Sequence, residues 1–522
     1  MTHHPWTRTT KFSFSPIIQI LLLLHFYFYI PVPKGMGKKK KDIIQLERES
    51  VIPILKHKLI SALSNRIEFK SDRDEFLKLC NRVEYTIRAW YFLQFEDLMQ
   101  CYALFEPIFG SKKLEQQNLS PEDIDIIEEK FLTCLFQVMD KSNFKLTTDD
   151  EINVALSAQY RLNLPIVVNE TKLDKKLFTS YFRKYPQDNL PHFSDKFIIF
   201  RRGFGIDQMT AYFITQKINT IIARIWGFFL TITGLRRIFF AKRAPEFEDD
   251  SKKIDIQIEE DDDLYVERIR IEKMKLSLSN LFGKVTIQEP TFQSIIVVYR
   301  RASKKKEMER NIYVKHFRNI PMADMEIALP EKKNPGLTPM DWVKFIVSAV
   351  IGLVTVISSL SNPKADIRVI CAILSSVVGY GVKTYFTFQD NLVSYQNLIT
   401  KSVYDKQLDS GRGTLLHLCD DVIQQEVKEV IVSFFVLLEQ GKATRQELDR
   451  RCEELMRQEF TENCNFDVDD AVKKLEKLGI VTLVDTAMNY KCVDLKHAND
   501  IIGTTTEEVV LKAKEGNRTC TY

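Results

Sequence analysis

Two adjacent arginines followed by two spaced glycines, Arg201-Arg202-Gly203-Phe204-Gly205, are the residues whose types and spacing come nearest to a binding motif. Glycines can bare backbone N–H groups, and guanidinium forks grip phosphate bidentately, so the motif could contact an anion or a lipid headgroup. The plainer reading is a turn at the end of a strand. Ser410-Gly411-Arg412-Gly413-Thr414 makes the same suggestion, and there the plainer reading is a turn with its helix cap. Hydrolytic chemistry finds less support. The histidines (3, 4, 25, 57, 192, 316, 417 and 497) are scattered and no H-E-x-x-H occurs, so no zinc ligand set is expected. Neither a G-x-S-x-G elbow nor a G-x-x-x-x-G-K-[ST] phosphate loop is present. The expectation is therefore no catalytic residue, no metal and no cofactor.

Composition narrows the class. A chain of 522 residues with 45% hydrophobic and 28% charged side chains has the balance of globular domains and room for about three of them. A net charge of +4 is too mild to mark a nucleic-acid binder. Nine cysteines without a C-x-x-C pair read as reduced thiols rather than as a disulfide framework or zinc ribbon.

The elements that would position any site begin with a helical domain, residues 42–190. Apolar residues recur at three and four spacing from Glu75 to Phe105, and Ser71-x-x-Asp74, Ser120-Pro121-x-Asp123 and Thr148-x-x-Glu151 read as helix starts. The stripe Tyr85, Trp90, Tyr91, Phe92, Phe95 is expected to be core rather than a ligand box. A small α+β domain follows over 191–335. Its strands are expected at 196–203, 294–301 and 311–317, the last two pairing across Lys304-Lys305-Lys306. Within it, Ile218 to Phe240 is an apolar stretch interrupted by Arg224, Arg236 and Arg237, expected to be interfacial or packed. Residues 241–263 form a charged linker whose acidic run lacks the spacing of a calcium loop.

Two apolar runs then occupy 342–388. Trp342 to Leu360 is 19 residues, roughly 28 Å as a helix, close to the thickness of a bilayer core. Ile367 to Phe388 holds charge only at Arg368 and Lys383, and the turn Ser361 to Asp366 separates the two. The expectation is a two-helix transmembrane hairpin, its helices packed at Gly352, Gly379 and Gly381. Flanking lysines would keep both large domains on one side. A hairpin buried in protein is the alternative.

After it, residues 394–516 read as a winged-helix-like domain: helices at 420–438, 444–460 and 467–478, then the strands GIVTLV and YKCVDL. The third helix, VDDAVKKLEKL, mixes acids with lysines and has no arginine, so protein contact is expected in place of DNA. Residues 1–41 contain no acid. They read as a transit peptide, a signal anchor, or an extension upstream of a start at Met36.

IIFRRGFGID at 198–207, KHFRNIPMADMEIALP at 315–330 and the apolar hairpin, in that order, resemble the transmembrane protein 143 family, a domain-of-unknown-function family. SYQNLITKSVYDKQLDSGRGTLLHLCDDVIQQEVKE at 394–429 resembles its plant branch. The resemblance runs from about Leu46 to Gly516. It implies a membrane protein, mitochondrial in the animal branch, without established biochemistry; some plant members carry the name aminopeptidase. The combined expectation is an α+β, mainly helical integral membrane protein of a mitochondrion or chloroplast, acting as a non-enzymatic scaffold. Its partners would be the lipid bilayer and proteins docking on the C-terminal domain, with no nucleic acid. A membrane-associated aminopeptidase-like hydrolase and a soluble helical adaptor with a buried hairpin are the alternatives.

Overall fold

The computed structural model describes residues 43–46, 50–156, 168–187, 190–214, 264–269, 282–302, 310–333, 367–484 and 489–519, with isolated positions between them. Strand β1 (Ile43–Leu46) leads to helices α1 (Lys56–Asn65), α2 (Lys70–Phe105), α3 (Gly110–Gln117) and α4 (Pro121–Lys141). Then come β2 (Lys145–Leu146), α5 (Asp149–Leu156) and α6 (Lys176–Lys184). Next are β3 (Phe197–Ala211), β4 (Leu264–Glu267), β5 (Val285–Arg300), β6 (Ile312–Pro321) and a 3-10 segment, Met322–Ile327. The chain continues through α7 (Ile367–Lys406), β7 (Gln407–Ser410), α8 (Arg412–Gln440), β8 (Ala443–Thr444), α9 (Arg445–Phe460) and α10 (Val468–Leu478). It closes with β9 (Val481–Leu483), β10 (Asn489–Cys492), α11 (Leu495–Ile502) and α12 (Thr506–Thr519).

Local chemistry explains several of these boundaries. Ser120 accepts the Asp123 amide at 3.1 Å, and Thr148 and Glu151 exchange reciprocal bonds, as helix N-termini require. Ser71 does not cap: α2 starts one residue earlier, and the Ser71 hydroxyl donates to Asp72.

Five antiparallel strands form the central sheet in the order β2-β3-β5-β6-β7. Strand alternation sends Ile198, Phe200, Ile296, Val298, Ile312 and Val314 to one face, into a core shared with α2, α4, α6 and the first half of α8. Phe197, Ile199, Ile295, Val297 and Phe317 face the other way, against the 3-10 segment and α5. A second core joins α1, α2, α8, α9, α10 and α11. Helix α8 serves both cores, which is why it is buried without a break from Gln425 to Leu437 in place of the one-sided pattern expected of an amphipathic helix.

The transmembrane hairpin expected at 342–388 is corrected here. Among the described residues no helix is long and apolar enough to cross a membrane. The first run, Trp342 to Leu360, lies outside the described residues except for Val354, and so do the turn after it, residues 1–41, the linker 241–263 and most of Ile218 to Phe240. The second run is only the opening of α7, which continues unbroken for 40 residues. That helix carries Arg368, Lys383, Asp390, Lys401, Asp405 and Lys406, and toward its end Ile399 is buried with Tyr395 and Val403. The helix thus leads directly into a sheet strand, β7, and part of its length packs in protein. The fold class is α+β and mainly helical. Neither the integral membrane scaffold nor the organellar membrane location that rested on the hairpin has support in this fold. Gly379 and Gly381 lie on α7, and a Cβ built at Gly379 meets nothing within 4 Å. Gly352 is outside the described residues.

The last third of the chain runs helix, strand, helix, helix, hairpin, with β8 beside β10 and β10 beside β9. This is the connection order used by winged-helix modules.

Candidate functional site: a buried charge cluster between helices

Glu426 and Glu429, three apart on α8, share a face, and Asp470 on α10 completes a triplet with one carboxylate oxygen each within 4.8 Å of one another. It is the only such group of acids, histidines or cysteines among the described residues. Its surroundings decide its chemistry. The Tyr91 hydroxyl on α2 donates to Glu426 Oε1 at 2.8 Å, and Gln425 Nε2 donates to Glu429 at 2.6 Å. Lys474 of α10 ion-pairs with both Glu426 and Asp470. Lys141 at the end of α4 lies 3.0 Å from Asp470 and 3.9 Å from Glu426. Four helices therefore meet on one charged knot.

Burial is the largest influence on Glu429, Lys474 and Tyr91. It pushes the wholly buried Glu429 carboxyl up to about 8, with Asp467 and Asp470 adding to the rise. It pulls Lys474 down to about 6, with the neighbouring Lys141 adding to the fall. Burial also raises Tyr91. Glu426 and Asp470 are the two carboxylates that contact both Lys141 and Lys474. The lysines thus fill the role a metal ion would play, and the knot reads as a structural clamp.

A second arrangement has a nucleophile beside a base. The Ser294 hydroxyl on β5 contacts His316 Nε2 on β6, a pair 22 residues apart that no local motif announces. Catalysis would need an acid on Nδ1, yet that atom is buried without a hydrogen bond. Burial, and then the neighbouring Arg202, pull His316 down to about 4, which makes it a poor base near neutrality. Both residues are buried in the sheet, Ser294 at 7% exposed and His316 at 4%. The dyad is structural.

The arginine–glycine motif is also accounted for within the fold. Arg201 is 6% exposed and donates to Glu151 Oε1 through Nε at 3.0 Å. Arg202 donates to Asp421 at 2.7 Å and to the Ser142 carbonyl at 3.2 Å, and its guanidinium lies 4.5 Å from the Phe144 ring centroid. Gly203 has φ +70°, and a Cβ there would meet Gln293 Oε1 at 2.5 Å. At Gly205 a Cβ would meet Thr291 Oγ1 at 2.9 Å. Both glycines permit the close approach of β3 to β5, and both arginines join sheet to helices. Sequence reading missed the carboxylate partners because they lie 50 and 219 residues away.

Helix α10, which stands where a winged helix would read a nucleic-acid groove, buries one face that includes Lys474 and leaves Lys473 and Glu476 exposed. Asp470 and Lys474 belong to the knot, and Lys477 stands over the Trp90 ring of α2.

Residues 292–413 match the family model of a protein of unknown function (DUF3754), a stretch running from β5 to the opening of α8. That match carries no link to the transmembrane protein 143 family. No curated protein and no solved structure matches the chain.

Proposed function

We propose that this chain is a non-catalytic helical adaptor, its winged-helix-like module clamped onto the N-terminal helices and offering its outer side to a protein partner. The observation that carries this reading is the docking of α10: Asp470 and Lys474 pair with α4 and α8 and Lys477 stands over Trp90 of α2, which leaves Lys473 as the one lysine of the helix turned outward without such a contact. Of the constellations that could have done chemistry, the Ser294–His316 dyad is buried in the sheet, and two of the three acids of the carboxylate triplet are buried, with Asp470 held by lysines. Apolar side chains remain on the outer side of the module, with Leu483 and Val484 at the end of β9 and Val509 on α12 each about half exposed.

Photo-crosslinking from Val484 and from Val509 in the full chain tests the reading. A discrete protein adduct, reproduced with the purified partner and lost when Leu483 is changed to Asp, is the expected result. Adducts to nucleic acid, or no discrete protein adduct from either position, would contradict it.

A further inference from the structure

On the sheet face turned toward the 3-10 segment, register places Tyr313, Lys315 and Phe317 of β6 opposite Tyr299, Val297 and Ile295 of β5. Val297, Ile295 and Phe317 are fully buried, so Lys315 is a cation in an apolar row. Its Nζ lies 5.8 Å from the Tyr299 ring centroid, and no carboxylate among the described residues stands within ion-pair distance. Lys332 is the neighbouring cation, its ammonium bonded to the Ile327 carbonyl. Arg301 closes the group: its guanidinium lies 4.7 Å from the Tyr313 centroid, donates to the Tyr313 hydroxyl at 3.3 Å and pairs with Glu331. Glu331 thus pairs with Arg301 and with neither lysine. Burial and then the Lys315 charge pull Lys332 down to about 7, while burial and Arg301 lower Lys315. A half-buried surplus of positive charge is costly unless a proton leaves or an anion arrives.

We propose that Arg301, Lys315 and Lys332 form a binding site for a phosphate group, with Tyr313 beside it. Arg301, 53% exposed, supplies the entrance and a planar fork suited to phosphate oxygens. The two half-buried lysines supply point charges at the floor. The rings of the buried Tyr299 and the partly exposed Tyr313 stack at 5.0 Å and 12°, so Tyr299 backs Tyr313 from within the sheet. All of these residues lie within the stretch 292–413 that matches the family model. The inference is independent of the adaptor reading.

The test is thermal unfolding of the full chain titrated with inorganic phosphate, against chloride at matched ionic strength, for wild type, Lys315→Met, Lys332→Met and Arg301→Gln. Vesicles of phosphatidylcholine with and without phosphatidic acid form a second arm. Saturable stabilisation by phosphate, weakened at least tenfold in each variant, is expected for a soluble phosphorylated ligand. Binding to phosphatidic acid vesicles alone, lost in the same variants, would assign the site to a lipid headgroup. No response to either probe, or affinity unchanged in Lys315→Met and Lys332→Met, would overturn the proposal. Arg301→Gln alters an exposed side chain and keeps the test valid if the lysine variants fold poorly.

Discussion

The ammonium of Lys477 on α10 stands 4.0 Å from the ring centroid of Trp90 on α2, joining residues from opposite ends of the chain. With the carboxylate–lysine knot beside it, this pair turns α10 toward the N-terminal helices. The module is therefore a packing partner of the rest of the fold.

Trp90→Ala removes the cation–π contact together with the part of the indole that packs on the second core. It should destabilise the chain by about 1–3 kcal/mol, a range that combines a partly exposed cation–π pair with lost apolar burial. Urea unfolding measures this. A change within the noise of the extrapolation would mean that α10 is not held by α2.

Glu429 sets a pH dependence of known sign. Its folded value, about 8, lies above its ordinary value of 4.5, so the folded state holds the proton more tightly. The stability it contributes is complete below pH 4.5 and is lost as pH rises toward 8, at about 1.4 kcal/mol per pH unit. Lys474, lowered from 10.5 to about 6, acts in the opposite sense between those values, so the informative quantity is a difference. Glu429→Gln should overtake wild type in stability as pH rises from 5 to 8. Parallel profiles for the two proteins would contradict the assignment.

Lys474→Met should cost about 3–5 kcal/mol, because it leaves Glu426 and Asp470 with Lys141 alone as their counter-charge. Adding Glu426→Gln should recover a substantial part of that loss, since one of the stranded charges is removed as well. A double-mutant cycle gives the coupling directly. Additive losses would show that the two side chains do not meet.

Ser294 should stay unlabelled by a fluorophosphonate probe in the folded chain, and Ser294→Ala should cost only about 1–2 kcal/mol for the lost hydrogen bond. Labelling at Ser294 would reopen the hydrolase reading.

What was legible in the sequence was local. The capping signals at Ser120 and Thr148 are written within four residues, and β5 and β6 pair as their β-branched composition suggested. Strand lengths were not legible: β3 runs on to Ala211, past the glycines, because Gly203 and Gly205 let it hug β5. What the arginine motif does was hidden, since Glu151 and Asp421 reach Arg201 and Arg202 only through the tertiary fold. The apolar run at 367–388 misled because hydropathy does not register that its helix continues to Lys406, with Ile399 buried beside Tyr395 and Val403. The knot at Glu426, Glu429 and Asp470 gave no signal either, as acids three apart on a helix normally mark a solvated face.

The most direct test of the docking of α10 is amide hydrogen exchange across residues 468–478 in the intact chain. Protection matching that of α8, lowered in Trp90→Ala, is the predicted result. Exchange in α10 far faster than in α8 and unaffected by Trp90→Ala would show a module that opens independently, and the clamp, with the adaptor reading built on it, would be wrong.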